Sequence, residues 1–149
     1  SILNGSKIIA CSDEHFGKAE NILAPGKSKN MGNGWETKRR RGPGYDWVII
    51  RLGRKGLISH FEINTHHFKG NFPSHFSIQI SSISNLTSIK KVVSDSYKWK
   101  TIVKKMKLNS DTTLIVKNNF KLITNIALIK LNIYPDGGIS RFRVFGKVK

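Results

Sequence analysis

MGNGWETKRRRGPGYDW, residues 31–47, runs straight into VIIRL, residues 48–52. The first part mixes four glycines (Gly32, Gly34, Gly42, Gly44), Pro43, an acid at Glu36, four consecutive bases from Lys38 to Arg41, and Trp35. Neither a helical nor a strand period runs through it, so it reads as a shaped loop. The second part, from Trp47, is β-branched and apolar and reads as a strand. A loop rich in ionisable groups, delivered by a strand, is where binding and catalysis tend to sit.

Outward from this stretch the pattern stays β. Residues 7–11 form a short apolar run, followed by a polar loop over 12–26 that closes on the turn pair Pro25-Gly26. A turn is expected at 53–56. Residues 57–65 alternate: Phe61, Ile63 and Thr65 share one face, and His60, Glu62 and Asn64 the other, the signature of a half-buried strand. Residues 66–74 are an irregular polar loop, and 76–83 alternate again. The segment 94–107 is ambiguous, because Trp99, Ile102, Val103 and Met106 recur at helical spacing. Strands are expected at 114–116 and 126–133. The Pro135-Asp136-Gly137-Gly138 turn then predicts a hairpin between 126–133 and 139–145. Many short strands with turn signals between them make a sandwich or barrel.

Length and composition bound the rest. A chain of 149 residues fits one domain over 1–149, large enough for a substantial core. No apolar run approaches a membrane span, and residues 1–10 lack the pattern of a secretory leader. The first residue is Ser1, which reads as a processed chain or a piece of one. The single cysteine, Cys11, excludes an internal disulfide and fits a cytoplasmic setting; ending an apolar run, it reads as buried and inert. Lys+Arg number 26 against 9 Asp+Glu, a net charge of +17 that would attract any anion. Most lysines are scattered through the second half without a motif, so solvated faces explain them better than a nucleic-acid footprint. The aromatic–basic strand face of single-strand binders is missing. The arginines instead concentrate in blocks.

Those blocks carry a resemblance. GWETKRRRGPGYDW (34–47), HFKGNFP (67–73) and NIYPDGGISRFRVFG (132–146), with SDEHFGKAENILAPG (12–26), resemble the allantoicase family, and most of all the second of the two repeats that its members usually carry. The resemblance implies a jelly-roll β-sandwich of the galactose-binding-like kind. It also implies hydrolysis of allantoate to ureidoglycolate and urea, by this chain or by an enzyme of which it is one half. It further implies pairing with a second repeat or with copies of itself.

That reaction sets requirements. Allantoate carries a carboxylate and two ureido groups on one tetrahedral carbon. The carboxylate needs a fixed cation, the departing ureido group a proton, the attacking water a base, and the ureido oxygens and N–H groups partners in a dry pocket. For the carboxylate, the planar fork of Arg39 or Arg40 is suited, with Arg141 as a further contact. Arg141 and Arg143 share one face of the last strand, and for one of them a water-facing position is acceptable. For proton transfer the candidates are Glu36, His67 and Asp46; an imidazole as a residue type can give or take a proton at neutral pH, and Asp46 could orient His67 or cap the loop. Asp136 reads first as a turn residue. Lys69 and Asn71 would hold ureido groups. The histidines form no ligand pattern with carboxylates, so no cofactor is evident, and a divalent metal stays open without support from spacing. The expected ligand is a small anion, with neither nucleic acid nor membrane as partner.

Two places depart from the family pattern. Tyr45 stands where the family has histidine before Asp46-Trp47, and 102–114 lacks the arginine- and histidine-bearing stretch found elsewhere. They keep a second reading in play, a catalytically silent module binding a small anion or carbohydrate.

Overall fold

The computed structural model describes residues 5–53, 56–83, 88–117 and 126–148. The turn expected at 53–56 therefore lies partly outside the described residues, as does Lys121. Eleven elements follow one another. They are β1 (Lys7–Cys11), β2 (Trp35–Glu36), β3 (Asp46–Arg51), β4 (Gly56–Asn64), β5 (His75–Ser81), α1 (Ile89–Asp95), β6 (Lys100–Lys107), β7 (Thr113–Lys117), β8 (Leu128–Tyr134), β9 (Gly138–Ile139) and β10 (Arg141–Val148). Short 3-10 turns occupy Ala19–Leu23, Met31–Asn33 and Ser96–Lys98.

The strands make a five-stranded sheet in the order β1-β3-β8-β5-β6, a three-stranded sheet β10-β4-β7, and a small β2-β9 pair. All pairings are antiparallel. The result is the expected β-sandwich of jelly-roll type. Its core lies between the sheets. Val48, Ile50, Phe76, Ile78, Ile129, Leu131 and Ile133 from the larger sheet meet Ile58, Phe61, Ile63, Phe142 and Val144 from the smaller. The Phe61 and Phe142 rings stack with centroids 5.8 Å apart. Alternation in 57–65 is as read: Phe61, Ile63 and Thr65 are buried, whereas Glu62 and Asn64 are half-exposed.

One pairing expectation is corrected: β8 and β10 do not form a hairpin. β8 is already hydrogen-bonded to β3 on one side and β5 on the other, so it has no free edge. The chain leaving it crosses to the other sheet, touches β2 through β9, and pairs as β10 with β4. The run from Trp47 stands, as β3, inside the larger sheet between β1 and β8. The ambiguous segment 94–107 divides. A short helix, capped by the Ser88 side chain accepting from the Lys91 N–H, precedes it, and from Lys100 the chain is extended. The helical spacing there is accidental, since Val103 is buried while Met106 is 40% exposed.

β5 is buried on both faces, not one. Its outward residues Ser77 and Gln79 join Asn132 and Lys130 of β8 in a covered polar layer. Asn132 donates to Ser77 Oγ and Gln79 Oε1, and Gln79 donates to the carbonyls of Tyr97 and Trp99. Lys130 is 2% exposed; its ammonium donates to Ser96 Oγ at 2.8 Å and faces the Tyr45 and Trp47 rings. Burial pushes its pKa below the ordinary lysine value. The 3-10 turn at Ser96–Lys98 is thus seated on the sheet by hydrogen bonds rather than by apolar packing.

The crossing from β8 to β10 depends on glycine. A Cβ at Gly138 would fall 2.1 Å from the buried Phe68 ring, and one at Gly137, whose φ is +129°, 2.8 Å from main-chain atoms of residues 71–73. The absence of side chains lets this corner press against the 66–74 loop. Gly138→Ala is expected to cost about 1–3 kcal/mol by overpacking. Urea denaturation would show it as a lowered midpoint, partly recovered when Phe68→Leu is added.

Candidate functional site

Three segments meet at one end of the sandwich: the loop around β2, the 66–74 loop and the 135–137 corner. Hydrogen bonds tie them together. Thr37 N–H donates to the Gly137 carbonyl at 3.0 Å, and Gly137 N–H to Thr37 Oγ1 at 3.0 Å. Gly138 N–H donates to the Asn71 carbonyl at 2.8 Å, and Arg40 N–H to Asp136 Oδ2 at 2.8 Å. The Asn71 amide donates to Glu36 Oε2. Between the segments lies a cavity of about 580 Å³. It is lined by Glu36, Thr37, Arg39 and Arg40 from the first segment, Gly70, Asn71 and Phe72 from the second, and Pro135, Asp136 and Gly137 from the third. Phe16, 62% exposed, and Ser74 complete its rim.

The two candidate arginines differ in role. Arg40 is committed. Its Nη2 donates to Asp46 Oδ1 at 2.8 Å and to the Tyr45 carbonyl at 3.1 Å. Asp46 is 2% exposed and also accepts from Ser12 Oγ at 2.7 Å, while that hydroxyl oxygen accepts the Trp47 N–H at 2.9 Å. Asp46 therefore fixes the loop's return to β3 and the direction of Arg40. Arg39 is exposed and makes no hydrogen bond or ion pair among the described residues. It lines the first cavity and also a second of about 450 Å³ on the other side of the loop, walled by Ser12, Asp13, Lys38, Arg39, Arg40, Arg41, Gly42, Pro43 and Asp46.

Four of the residues read from the sequence, Glu36, Arg39, Arg40 and Asn71, come together in the first cavity; Asp46 stands behind them on Arg40. His67, Lys69 and Arg141 line neither cavity. His67 has φ 74° and its N–H donates to Asp111 Oδ1 at 2.8 Å. Its Nε2 lies 2.8 Å from the Ser28 carbonyl, which only accepts, so that nitrogen carries the proton. The ring is a tie between two loops. Asp111 is held below the usual carboxylate range, first by the His67 N–H and further by the charges of His66 and Lys69. Lys69 thus belongs electrostatically to this neighbouring group. Arg141 is 7% exposed and donates to the carbonyls of Asn21, Gly26, Asn33 and Ser140. Arg143 does the same for Ile22, Ala24 and Gly26. Both arginines therefore clamp the 21–33 segment; neither faces open water alone.

Asp136 carries more than the turn role first given to it, since it lines the cavity and receives Arg40 N–H. The sequence signal for this was its place in a family block facing the arginine loop. Among the described residues no group of three or more His, Cys, Asp or Glu could hold a metal ion. Cys11 is half-buried, and burial together with Glu14 and Asp13 pushes its thiol up to about 11, so it is protonated and unreactive at neutral pH. Chemically, the first cavity offers one uncommitted guanidinium, two carboxylates and an amide, a set able to hold an anionic group and urea-like N–H and carbonyl groups together.

Five and three antiparallel strands around one core, with polar loops gathered at one end, define a galactose-binding-like β-sandwich. A family 32 carbohydrate-binding module of Streptococcus pneumoniae EndoD shares the fold, with a TM-score of 0.67 at 15% identity over 98% of this chain and 99% of that one. The chain belongs to the allantoicase family, since the family model described as the allantoicase repeat matches residues 1–149. A probable allantoicase of Photobacterium profundum is 46% identical over 98% of this chain and 44% of its own length; one of Pseudomonas syringae pv. syringae is 47% identical with the same coverage. The allantoicase structure from Saccharomyces cerevisiae superposes with a TM-score of 0.78 at 35% identity, over 96% of this chain and 41% of that one. This chain therefore spans less than half the length of the relatives it matches.

The Arg40–Asp46 pair predicts a measurable cost. Asp46→Asn leaves a partly buried guanidinium without its counter-charge. Because Arg40 keeps 31% exposure, the loss should be about 1–3 kcal/mol, below that for a fully buried pair. Chemical denaturation of the variant beside the parent chain measures it.

Proposed function

We propose that this chain forms one half of an allantoicase, hydrolysing allantoate to ureidoglycolate and urea, the step of allantoin degradation that releases urea. The observation that carries the reading is the cavity in which Glu36, Arg39, Asn71 and Asp136 converge. Arg39, uncommitted, takes the substrate carboxylate through its planar fork. Arg40, held by Asp46 and by Asp136, sets the loop rather than the substrate. Glu36, oriented by Asn71, accepts a proton from water whose oxygen bonds to the tetrahedral carbon. The carbon–nitrogen bond breaks with its electron pair going to the ureido nitrogen, which, as urea leaves, receives the proton that Glu36 took from water. Asn71 and Asp136 pair with the ureido groups. His67, Lys69 and Arg141 support the loops around the cavity from outside it.

Urea release from allantoate tests the assignment. Glu36→Gln should lower turnover by about 10²–10⁴-fold with little change in folding stability. Arg39→Lys should act mainly on KM, because charge remains and the bidentate contact does not. His67→Ala should cost stability rather than turnover. Full activity of Glu36→Gln would defeat the proton-transfer role. If the unmutated chain released no urea even when assembled with a second repeat, a module that binds a small anion without turning it over would take the place of the hydrolase.

Relatives are more than twice as long as the matched stretch. A second unit, in the same polypeptide or in another copy, is therefore expected to pack on this one; for the chain by itself that pairing is most simply a two-fold dimer. Sedimentation at tens of micromolar, roughly where interfaces of ordinary affinity are populated, should show a dimer. No helix among the described residues is long and apolar enough to cross a membrane. A single cysteine fits a reducing compartment, and we propose a cytoplasmic setting.

A further inference from the structure

The second cavity differs chemically from the first. The first mixes donors with acceptors at Glu36, Asn71 and Asp136, as a ureido acid requires. In the second, four consecutive bases face two acids, each already accepting hydrogen bonds through one oxygen. Asp46 accepts from Arg40 and Ser12 Oγ. Asp13 Oδ2 accepts the main-chain N–H of Lys38 at 2.8 Å and of His15 at 3.2 Å. Lys38, Arg39 and Arg41 are exposed and have no hydrogen bond or ion pair from their side chains among the described residues. Three idle cations on one wall leave donor capacity for an acceptor from outside.

We infer that this cavity is a separate binding site for a small multivalent oxyanion of the phosphate class. The wall supplies guanidinium forks and an ammonium, which match tetrahedral oxygens and outnumber its two carboxylates. A volume of about 450 Å³ holds orthophosphate or pyrophosphate with water. Because Arg39 borders both cavities, an anion in the second draws on the guanidinium that the first needs. Occupancy then raises the KM for the ureido acid, a consequence that rests on the hydrolase reading, whereas the binding itself does not.

The test is calorimetric titration of the intact chain with inorganic phosphate, then pyrophosphate, then acetate, at constant ionic strength. Phosphate and pyrophosphate should bind saturably and acetate much more weakly. Lys38→Ala with Arg41→Ala, two exposed positions outside the first cavity, should weaken phosphate binding by about tenfold or more. Lys104→Ala with Lys107→Ala removes the same charge from β6 and should leave binding unchanged. Denaturation midpoints confirm that both double variants fold. Loss of binding equal in the two double variants would show a general charge effect and overturn the site. So would non-saturable titration, acetate binding as tightly as phosphate, or undiminished binding in the Lys38/Arg41 variant. Loss of urea release alone, with phosphate binding intact, would defeat only the hydrolase reading.

Discussion

β8 is hydrogen-bonded along both edges, and much of the structure follows from that. A strand enclosed by β3 and β5 has no edge left for the segment that follows it, so the chain leaving Tyr134 cannot fold back beside β8, and it departs from the sheet. The corner at 135–138 is where it turns away, and the corner's own main-chain groups are satisfied by neighbouring loops through Thr37 and Asn71. The same departure puts β10 on the opposite sheet, where Phe142 and Val144 close the core against Phe61 and Ile63. Site and core are thus consequences of one enclosed strand. Backbone groups that could not be left bare decide where the loops meet.

What could be read beforehand was what depends on local periodicity. The run VIIRL and the alternation through Phe61 and Ile63 state their own burial, and the blocks that carry the family resemblance identify the loops that converge. What could not be read depends on who sits next to whom. A Pro-Asp-Gly-Gly turn looks the same whether the strands it joins pair or part. Ser77 and Gln79 look solvent-facing until the Ser96–Lys98 turn is laid over them. At the site, residue type announced that arginine, carboxylate and amide were available. It did not say which arginine was occupied, because Arg39 and Arg40 are chemically identical and differ only in the presence of Asp46. His67 illustrates the converse: its chemistry suited proton transfer, but its ring turns to the Ser28 carbonyl.

The large positive charge also divides once geometry is known. Lysines on β6 and β7 are mostly exposed and serve solvation. Lys130 is enclosed with one hydroxyl and two aromatic rings, where its charge is tolerated rather than used. Arg40, Arg141 and Arg143 are consumed inside the protein. Among the described residues, the cations of the 38–41 stretch other than Arg40 are both shaped into a cavity and idle. Field strength over the surface is therefore a poor guide to where an anion binds; spare hydrogen-bonding capacity is a better one.

Among the described residues Arg141 and Arg143 donate to main-chain oxygens alone, most of them along 21–33. A carbonyl is common to every amino acid, proline included, so these two side chains read the path of the segment and ignore its letters. Residues 25, 27 and 29–31, whose side chains face outward, can then be rewritten without unseating the loop, whereas Gly26 holds a positive φ that other residues would strain. The clamp makes this edge of the molecule a replaceable surface on a fixed track, where new contacts could be tried while the cavity's walls stay where they are.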